Sequence, residues 1–468
     1  MAAPRALLIN PPTGNYIRDD RCQVPADAIS SSLRAPIDLL YYATILQERG
    51  YACEVRDYPA LGLGRDAWLA DLARLRPAIV VASVTTPTLR EDLRCIEDAK
   101  AAAPDCLTVA KGAHFVVADR EAMESCPALD VAVRGEAESA VMEIADGARM
   151  EDVLGVTWRK DGAVVRNAPR PQVRDLDFLP KPDRRLLDNR LYVRPDSGRP
   201  QTTILASRGC PKDCIFCLVK VVTGRPISER SPKSIVDEVE ACVRDHGIRD
   251  FYFRADTFTW HKAWVTEICD LILARGLDVH WVCNSRADTV NDAMLAKMKA
   301  AGCWMIGLGI ESGSAEILRR IKKGITKDEA RASARLIRKH GIRTYNFFII
   351  GFPWDDEATI KETVDFAIEL DSDFVEFHTA YPFLGTEYHD IAVKEGLFEP
   401  ARLHGADVMT SPARTRTLSS GRLHELRLAA LRRYYLRPSR ILRTLRHVDS
   451  PAMLMNYARK GMRVLSGV

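Results

Sequence analysis

Strands and helix-length segments alternate along most of this chain in two separate runs, and that alternation constrains the fold more than any composition figure. Short apolar strands, each followed by a helical stretch, build parallel sheets with helices packed on their faces. In the first run the strands are Ala6–Asn10, Ala52–Asp57, Ala78–Ser83, Leu107–Ala110 and Val131–Arg134. Between them, residues 36–49 read as an amphipathic helix ended by Gly50, with further helices around Ala67–Leu75 and over 89–102. Such a sheet binds ligands at the carboxyl ends of its strands. The turns there are Ser83–Thr88, Lys111–His114 and Arg134–Glu138. The stretch Thr13–Ala35, with Tyr16, Arg18, Asp19, Asp20, Arg21 and Cys22, is long for a strand-to-helix loop. It reads either as a functional loop at the binding end or as a solvated insertion.

Gly155–Val165 then reads as a hairpin about an Asp161-Gly162 turn, and Pro169, Pro171, Pro180 and Pro182 mark a linker. The second run follows. Its strands are Thr202–Ser207, Asp250–Ala255, Val279–Asn284, Trp304–Ile310, Tyr345–Ile350 and Phe374–His378. Six β/α repeats fit a partial barrel, with chemistry at the carboxyl ends of its strands. The expected division is therefore residues 1–150, 151–195, 196–400 and 401–468.

Directly after the first strand of the second run stands Arg208-Gly209-Cys210-Pro211-Lys212-Asp213-Cys214-Ile215-Phe216-Cys217. Three thiolates on one tight loop can hold three irons of a [4Fe–4S] cube and leave the fourth iron open to a chelating ligand. Gly209 and Pro211 suit the bend. The other readings are three structural thiols or a zinc site, and zinc lacks a fourth Cys or His close by, the next His being His246. The remaining nine of the twelve cysteines are scattered, and most read as small buried hydrophobes. No run of about 18 apolar residues is present. The apolar stretch near Met1 is too short for a signal peptide, and a chain this long with scattered cysteines fits a reducing compartment. The expected location is cytoplasmic.

Cys-x3-Cys-x2-Cys after a first strand, with the aromatic Phe216 before the last cysteine, resembles the radical S-adenosylmethionine (SAM) superfamily. The resemblance implies that Cys210, Cys214 and Cys217 hold the cluster and that the open iron chelates SAM. One electron then cleaves SAM to a 5′-deoxyadenosyl radical. It also assigns SAM contacts to Phe216, Asp256, Arg286, Glu311, Gly351 and Pro353 at the strand ends. Asp256 is placed to take the SAM ammonium, although Ala255 stands where many such proteins have a second acid. The fork of Arg286 suits a carboxylate or ribose hydroxyls, Glu311 accepts from hydroxyls or an amine, and Gly351 admits an adenine. Glu376, His378 and Tyr381 stand as either substrate contacts or packing residues, and Leu384 replaces a proline of a related Pro-Gly-Thr segment.

The first run resembles the cobalamin (B12)-binding domain that precedes many radical SAM domains. The resemblance rests on Asn10-Pro11-Pro12, Pro36-x-Asp38-Leu39, Gly112-x-His114 and Arg134-Gly135-Glu136-x-Glu138. It implies cobalamin contacts at Ser83, Thr85, Thr86, Gly112, Gly135 and Glu136. The Asp-x-His-x-x-Gly motif that supplies a lower axial histidine is absent, so cobalamin is expected without one, and His114 is expected to line the pocket or bond locally. A Rossmann-like domain that has lost the cofactor is the competing reading.

Together the resemblance covers about residues 5–400. It implies an α/β protein made of a Rossmann-like cobalamin-binding domain, a partial (β/α)6 radical SAM barrel and a basic helical C-terminal region. The group includes anaerobic magnesium-protoporphyrin monomethyl ester cyclase and many carbon methylases. The leading expectation is methyl transfer from methylcobalamin to an unactivated carbon, with a second SAM remethylating cob(I)alamin. A cyclase or oxidative rearrangement catalyst without net methylation is the second, and a B12- or redox-sensing binding protein the third. The implied partners are an external flavodoxin- or ferredoxin-like electron donor and a small-molecule substrate, with a lipid, terpenoid or tetrapyrrole weakly favoured by the basic tail.

That tail is unusual in charge. Ser411–Val468 holds 13 Lys or Arg against 2 Asp or Glu, so the rest of a chain of net charge +4 carries −7. Basic amphipathic helices there can dock on the acidic remainder or lie on an anionic membrane, peripheral to its inner face. Nucleic acid is disfavoured because no recognition module accompanies the charge.

Overall fold

The computed structural model describes residues 3–18, 24–25, 33–446, 448 and 450–466. Asp19, Asp20, Arg21 and Cys22 of the long loop lie outside the described residues.

The first run forms β1 (Arg5–Asn10), β2 (Ala52–Asp57), β3 (Ile79–Ser83), β4 (Leu107–Lys111) and β5 (Val131–Val133). They pair in parallel in the order β2-β1-β3-β4-β5. The hairpin expected inside the linker is β6 (Val156–Lys160) and β7 (Ala163–Arg166). It joins this same sheet antiparallel to β5 as the sixth and seventh strands. Asp161 and Gly162 both take positive φ at its turn, as a tight hairpin turn requires.

Between β1 and β2 lies α1 (Ile37–Gln47). It is not amphipathic: Ile37 to Ala43, Ile45 and Leu46 are all buried. A helix apolar on all sides is buried on all sides. One side of α1 packs on the first sheet, and its far side meets the barrel, where Arg230 reaches the Tyr41 hydroxyl at 3.3 Å.

The second run forms β8 (Gln201–Leu205), β9 (Asp250–Arg254), β10 (His280–Ser285), β11 (Cys303–Glu311), β12 (Arg343–Ile350) and β13 (Phe374–Thr379). Each strand adds in parallel beside the one before, giving six strands in sequence order. This is a partial barrel, open between β8 and β13. Its largest core lies between the strands and the outer helices, around Phe251, Phe253, Trp281, Ile306, Phe348 and Phe377.

The C-terminal region is helical: α2 (Ser420–Tyr435), α3 (Pro438–Leu445) and α4 (Pro451–Ser466). It docks on the barrel through its basic residues. Arg427 donates to Phe377 O at 2.7 Å, Arg433 pairs with Asp365 at 2.5 Å, and Arg443 donates to Asp371 O at 2.9 Å. Among the described residues no helix is long and apolar enough to cross a membrane.

Candidate functional site at the seam of the two sheets

The cysteine loop leaves β8 through Arg208. Gly209 sits at φ +93°, and a Cβ there would collide with Pro226 O. The Gly209 N–H donates to Asp256 at 2.6 Å, so one carboxylate oxygen of Asp256 holds the start of the loop. Cys210, Cys214 and Cys217 are free and half-buried, while Cys95, Cys106, Cys126, Cys242, Cys269, Cys283 and Cys303 are buried. Burial raises the Cys214 thiol and pushes Cys217 up to about 12. Metal binding to these groups therefore releases protons. Among the described residues no three His, Cys, Asp or Glu are gathered as a single-ion site. Three half-buried thiols on one loop, with no fourth protein donor gathered beside them among the described residues, are a donor set suited to an iron–sulfur cluster with one open iron.

Cations surround the loop. Arg286 pairs with Asp288 at 2.9 Å and donates to Lys323 O at 2.9 Å, so most of its fork is engaged. Lys212, inside the loop, pairs with the same Asp288 at 3.1 Å. Lys323 donates to Glu311 at 2.7 Å with both side chains buried. Burial alone would lower the Lys323 pKa, and the Glu311 carboxylate and Cys214 together outweigh it. Glu311 takes φ +71°, a left-handed conformation that costs a non-glycine residue about 1–3 kcal/mol. Gly309 makes room for the pair, since a Cβ there would press Lys323 Nζ at 2.8 Å. Sequence reasoning missed Lys323 and Lys212. The only signal was a lysine beside Gly324 and another inside the cysteine loop.

Gly351, Phe352 and Pro353 follow β12. The amides of Gly351 and Phe352 both donate to Asp355, at 2.9 and 3.0 Å. The Phe352 ring lies 5.6 Å from Phe216 of the cysteine loop, and Pro353 O accepts from Arg416 N at 3.1 Å. Gly351 has φ +94°, and the space a Cβ would take is filled by Leu423 of α2. The close approach that glycine permits here is to that helix.

In the first sheet, Ser83 ends β3, and its carbonyl accepts from Arg18 at 2.8 Å. Arg18 also pairs with the buried Asp92 at 2.8 Å, which anchors the early part of the long loop. Thr85 bonds Thr88 at 2.7 Å, and the Thr86 hydroxyl lies 3.2 Å from His114 Nδ1. Burial, with His404 nearby, lowers the His114 pKa to about 4, so it is neutral. Gly112 at φ +153° lets its loop press against Val84 O. Asn10 Oδ1, at the end of β1, is buried without a hydrogen-bond partner among the described residues. In a 2-1-3-4-5 sheet the β1/β3 crevice is the switch point where ligands bind. An orphaned buried acceptor and several hydroxyls beside it fit a large polar cofactor.

The two strand-end regions meet. Arg208, one residue before the cysteine loop, pairs with Glu138 at 2.5 Å and Glu136 at 2.7 Å. A Cβ on Gly135 would lie 3.3 Å from Val222 O, just past the loop. Asp38 bridges the seam, with Lys111 at 3.1 Å from the first sheet and Arg254 at 2.7 Å from the barrel. Burial would raise the Asp38 pKa, but Arg254, Lys111 and Arg208 together hold it well below the usual carboxylate range. A strap over 403–411, unforeseen in the sequence, spans both regions. Gly405 N donates to Pro87 O at 2.8 Å, and Thr379 N donates to Val408 O at 2.8 Å. The long loop joins it, with the Tyr16 hydroxyl 3.2 Å from Asp407.

Of the remaining candidates, Tyr381 is buried and donates to Leu403 O at 3.0 Å. Glu376 is buried 3.3 Å from the Tyr345 hydroxyl and 3.8 Å from Arg427. His378 is half-buried with its ring 6.3 Å from Phe347.

Residues 204–367 match the radical SAM superfamily, and residues 32–145 match the B12 binding domain. An uncharacterized methyltransferase of Pyrococcus horikoshii is 28% identical over 451 residues, 95% of either chain. The anaerobic magnesium-protoporphyrin IX monomethyl ester cyclase of Rubrivivax gelatinosus is 28% identical over 74% of this chain and 65% of its own. Among solved structures, the cobalamin-dependent SAM radical enzyme OxsB superposes with a TM-score of 0.73, covering 99% of this chain and 72% of its own at 17% identity, a likeness of fold. With a B12-binding sheet and a radical SAM barrel joined at their strand ends, the chain belongs to the cobalamin (B12)-binding-domain-containing radical SAM enzymes.

Proposed function

We propose that this enzyme is a cobalamin-dependent radical SAM methyltransferase acting on an unactivated carbon of a small molecule. The observation that carries the reading is the seam itself. The cysteine loop and the strand-end loops of the B12-binding sheet are tied to each other by Arg208, Glu136 and Glu138. Chemistry begun at one cofactor is thereby kept beside the other.

When bound, the cluster and SAM supply a 5′-deoxyadenosyl radical that takes a substrate hydrogen, and methylcobalamin supplies the methyl group. The chain's part is to bind, orient and exclude water. Cys210, Cys214 and Cys217 hold the cluster. Phe216, Asp256, Arg286, Glu311, Gly351 and Pro353 form the SAM side, with Lys323 fixing Glu311. Ser83, Thr85, Thr86, Gly112, Gly135 and Glu136 would form the cobalamin side. Residues 1–150, 151–195, 196–400 and 401–468 are the working divisions, with the hairpin of the second serving as the edge of the first sheet.

A lipid, terpenoid or tetrapyrrole substrate and an external flavodoxin- or ferredoxin-like donor complete the reading, in a cytoplasmic protein peripheral to the inner face of a membrane through residues 401–468. The cyclase relative favours one second reading, ring closure or oxidative rearrangement without net methylation. Product mass separates them, since methylation adds one CH2 per turnover.

The test is anaerobic purification with cobalamin, reconstitution with iron and sulfide, and assay with SAM and reductant. About four irons and one cobalt per chain, with 5′-deoxyadenosine formed, is the expected result. Iron and deoxyadenosine without cobalt would overturn the methylcobalamin mechanism. Cys214→Ala should abolish SAM cleavage and leave cobalamin binding intact; loss of both would break the assignment of separate cofactor sites.

A further inference from the structure

The last two helices expose apolar side chains to water: α3 turns its arginines toward the barrel, and α4 shows leucines and methionines beside its exposed arginines. In α3, Arg440 is buried and bonds Asp373 O, and Arg443 bonds Asp371. Both arginines point at the barrel. Ile441, Leu442 and Leu445 point away from it, 45 to 59% exposed. In α4, Met453 and Val464 are buried, Tyr457 stacks on Phe374 at 6.5 Å, and Asn456 donates to Asp196 O at 3.1 Å. Its opposite side shows Leu454, Met462 and Leu465, 47 to 60% exposed. Leu454, Met462 and Leu465 fall at helical spacing on one stripe. An amphipathic helix in water turns its apolar stripe inward. Here both helices turn apolar side chains outward, and exposed apolar surface of this kind marks an interaction site.

Charge selects the occupant. Exposed Arg446 follows Leu442 by four residues, and exposed Arg459 stands one turn after Met455 and three residues before Met462. From Leu436 to Val468 the sequence has seven Lys or Arg and one acid, Asp449. Apolar side chains rimmed by arginines, on helices too short and too charged to span, match the interface of an anionic bilayer. A protein partner or second copy would need an apolar patch with an acidic rim, and residues 436–466 offer no such self-complement.

We propose that α3 and α4 form a lipid-docking face that seats the enzyme on an anionic membrane surface. The inference deepens the peripheral placement proposed above and rests on it, but not on methyl transfer. It places the bottom of the barrel on the bilayer, because Cys303, Arg343 and Phe374, at the amino ends of β11, β12 and β13, lie on the side that α4 closes. The cofactor seam, at the carboxyl ends, faces away from the lipid.

The experiment is flotation of the full chain with phosphatidylcholine vesicles, with and without phosphatidylglycerol. Binding is expected on the anionic vesicles and should weaken about tenfold or more in Leu442→Ser with Leu445→Ser. Arg446→Glu with Arg459→Glu should abolish the preference for anionic lipid. All four positions are exposed, and unchanged circular dichroism melting verifies the fold of each variant. Three results would overturn the proposal: no vesicle binding, binding equal on neutral vesicles, or binding unaltered by either pair of changes. A concentration-dependent dimer lost in Leu442→Ser with Leu445→Ser, without vesicle binding, would assign the face to a second copy instead. The assay needs no cofactor, so its failure leaves the methyl-transfer reading standing.

Discussion

Two buried aspartates, Asp38 and Asp355, stand at the two seams of the molecule and are treated in opposite ways. Asp38 joins the first sheet to the barrel, where Lys111 and Arg254 face it from either side. Asp355 follows β12 near the contact with the C-terminal region, where the Thr417 hydroxyl donates to its carbonyl at 3.4 Å. Among the described residues its carboxylate accepts from the amides of Gly351 and Phe352 and from the Thr359 hydroxyl, with no cation beside it. Burial is the leading influence on both. At Asp38 the surrounding cations win and the pKa falls; at Asp355 nothing cationic opposes burial and the pKa rises to about 6. The inter-sheet seam thus holds its buried aspartate with compensating charge, which fixes one register, while Asp355, beside a C-terminal seam of more exposed ion pairs, is held by local hydrogen bonds.

The sharpest way to break this contrast is at Arg208. Its guanidinium is buried between Glu136 and Glu138. Removing one partner of a buried pair leaves uncompensated charge and costs about 3–5 kcal/mol. Arg208→Met should lower stability by that amount in urea unfolding and separate the transitions of the first sheet and the barrel. A loss under about 1 kcal/mol, the range of exposed pairs, would mean that the seam is not held by its ions.

The aspartates themselves give the next test, through pH. Asp38 has a depressed folded pKa. Its contribution is present above the unfolded value of about 4 and is lost only as pH falls through the folded value. Asp355 has a raised folded pKa. Its contribution is full below about 4 and is lost as pH rises through about 6. Asp355→Asn should therefore flatten the stability profile between those two values. At neutral pH it should gain up to about 3 kcal/mol over the parent, set by a shift of about two units at 1.36 kcal/mol each. Asp38→Asn should lose stability at neutral pH and converge on the parent in acid. The same sign for both variants at neutral pH would erase the distinction between the seams.

How much of this was legible beforehand follows the range of each interaction. The alternation of strands and helices gave both parallel sheets, because strand and helix periods are local. Cys210, Cys214 and Cys217 could be singled out because they share one short loop in the sequence. The all-round burial of α1 was not, since Tyr41, Tyr42 and Thr44 interrupt an apolar stripe, and only the barrel explains why its outer side is covered. The pairing of Arg208 with Glu138 spans 70 residues, that of Arg254 with Asp38 spans 216, and the strap at Gly405 reaches back to Pro87. No local spacing signals such partners. The docking of the tail was visible as charge imbalance, but its inversion, arginines inward and leucines outward, depends on where Asp371 and Asp373 lie.

The smallest expected effect tests that inversion from the protein side. Arg443 is about a third exposed, as is its partner Asp371, so solvent screens the pair. Arg443→Ala should cost about 0.5–1 kcal/mol in urea unfolding, and added salt should narrow the gap to the parent. The carbonyl of Asp371 loses its donor as well, which sets the upper end of the range. If α3 is held to the barrel by its arginines, the same variant should free the helix to rotate its leucines inward and should weaken vesicle binding with little change in stability. If stability falls by several kcal/mol instead, the pair behaves like Arg208, and the C-terminal seam is a second compensated-charge seam rather than a contrast to the first.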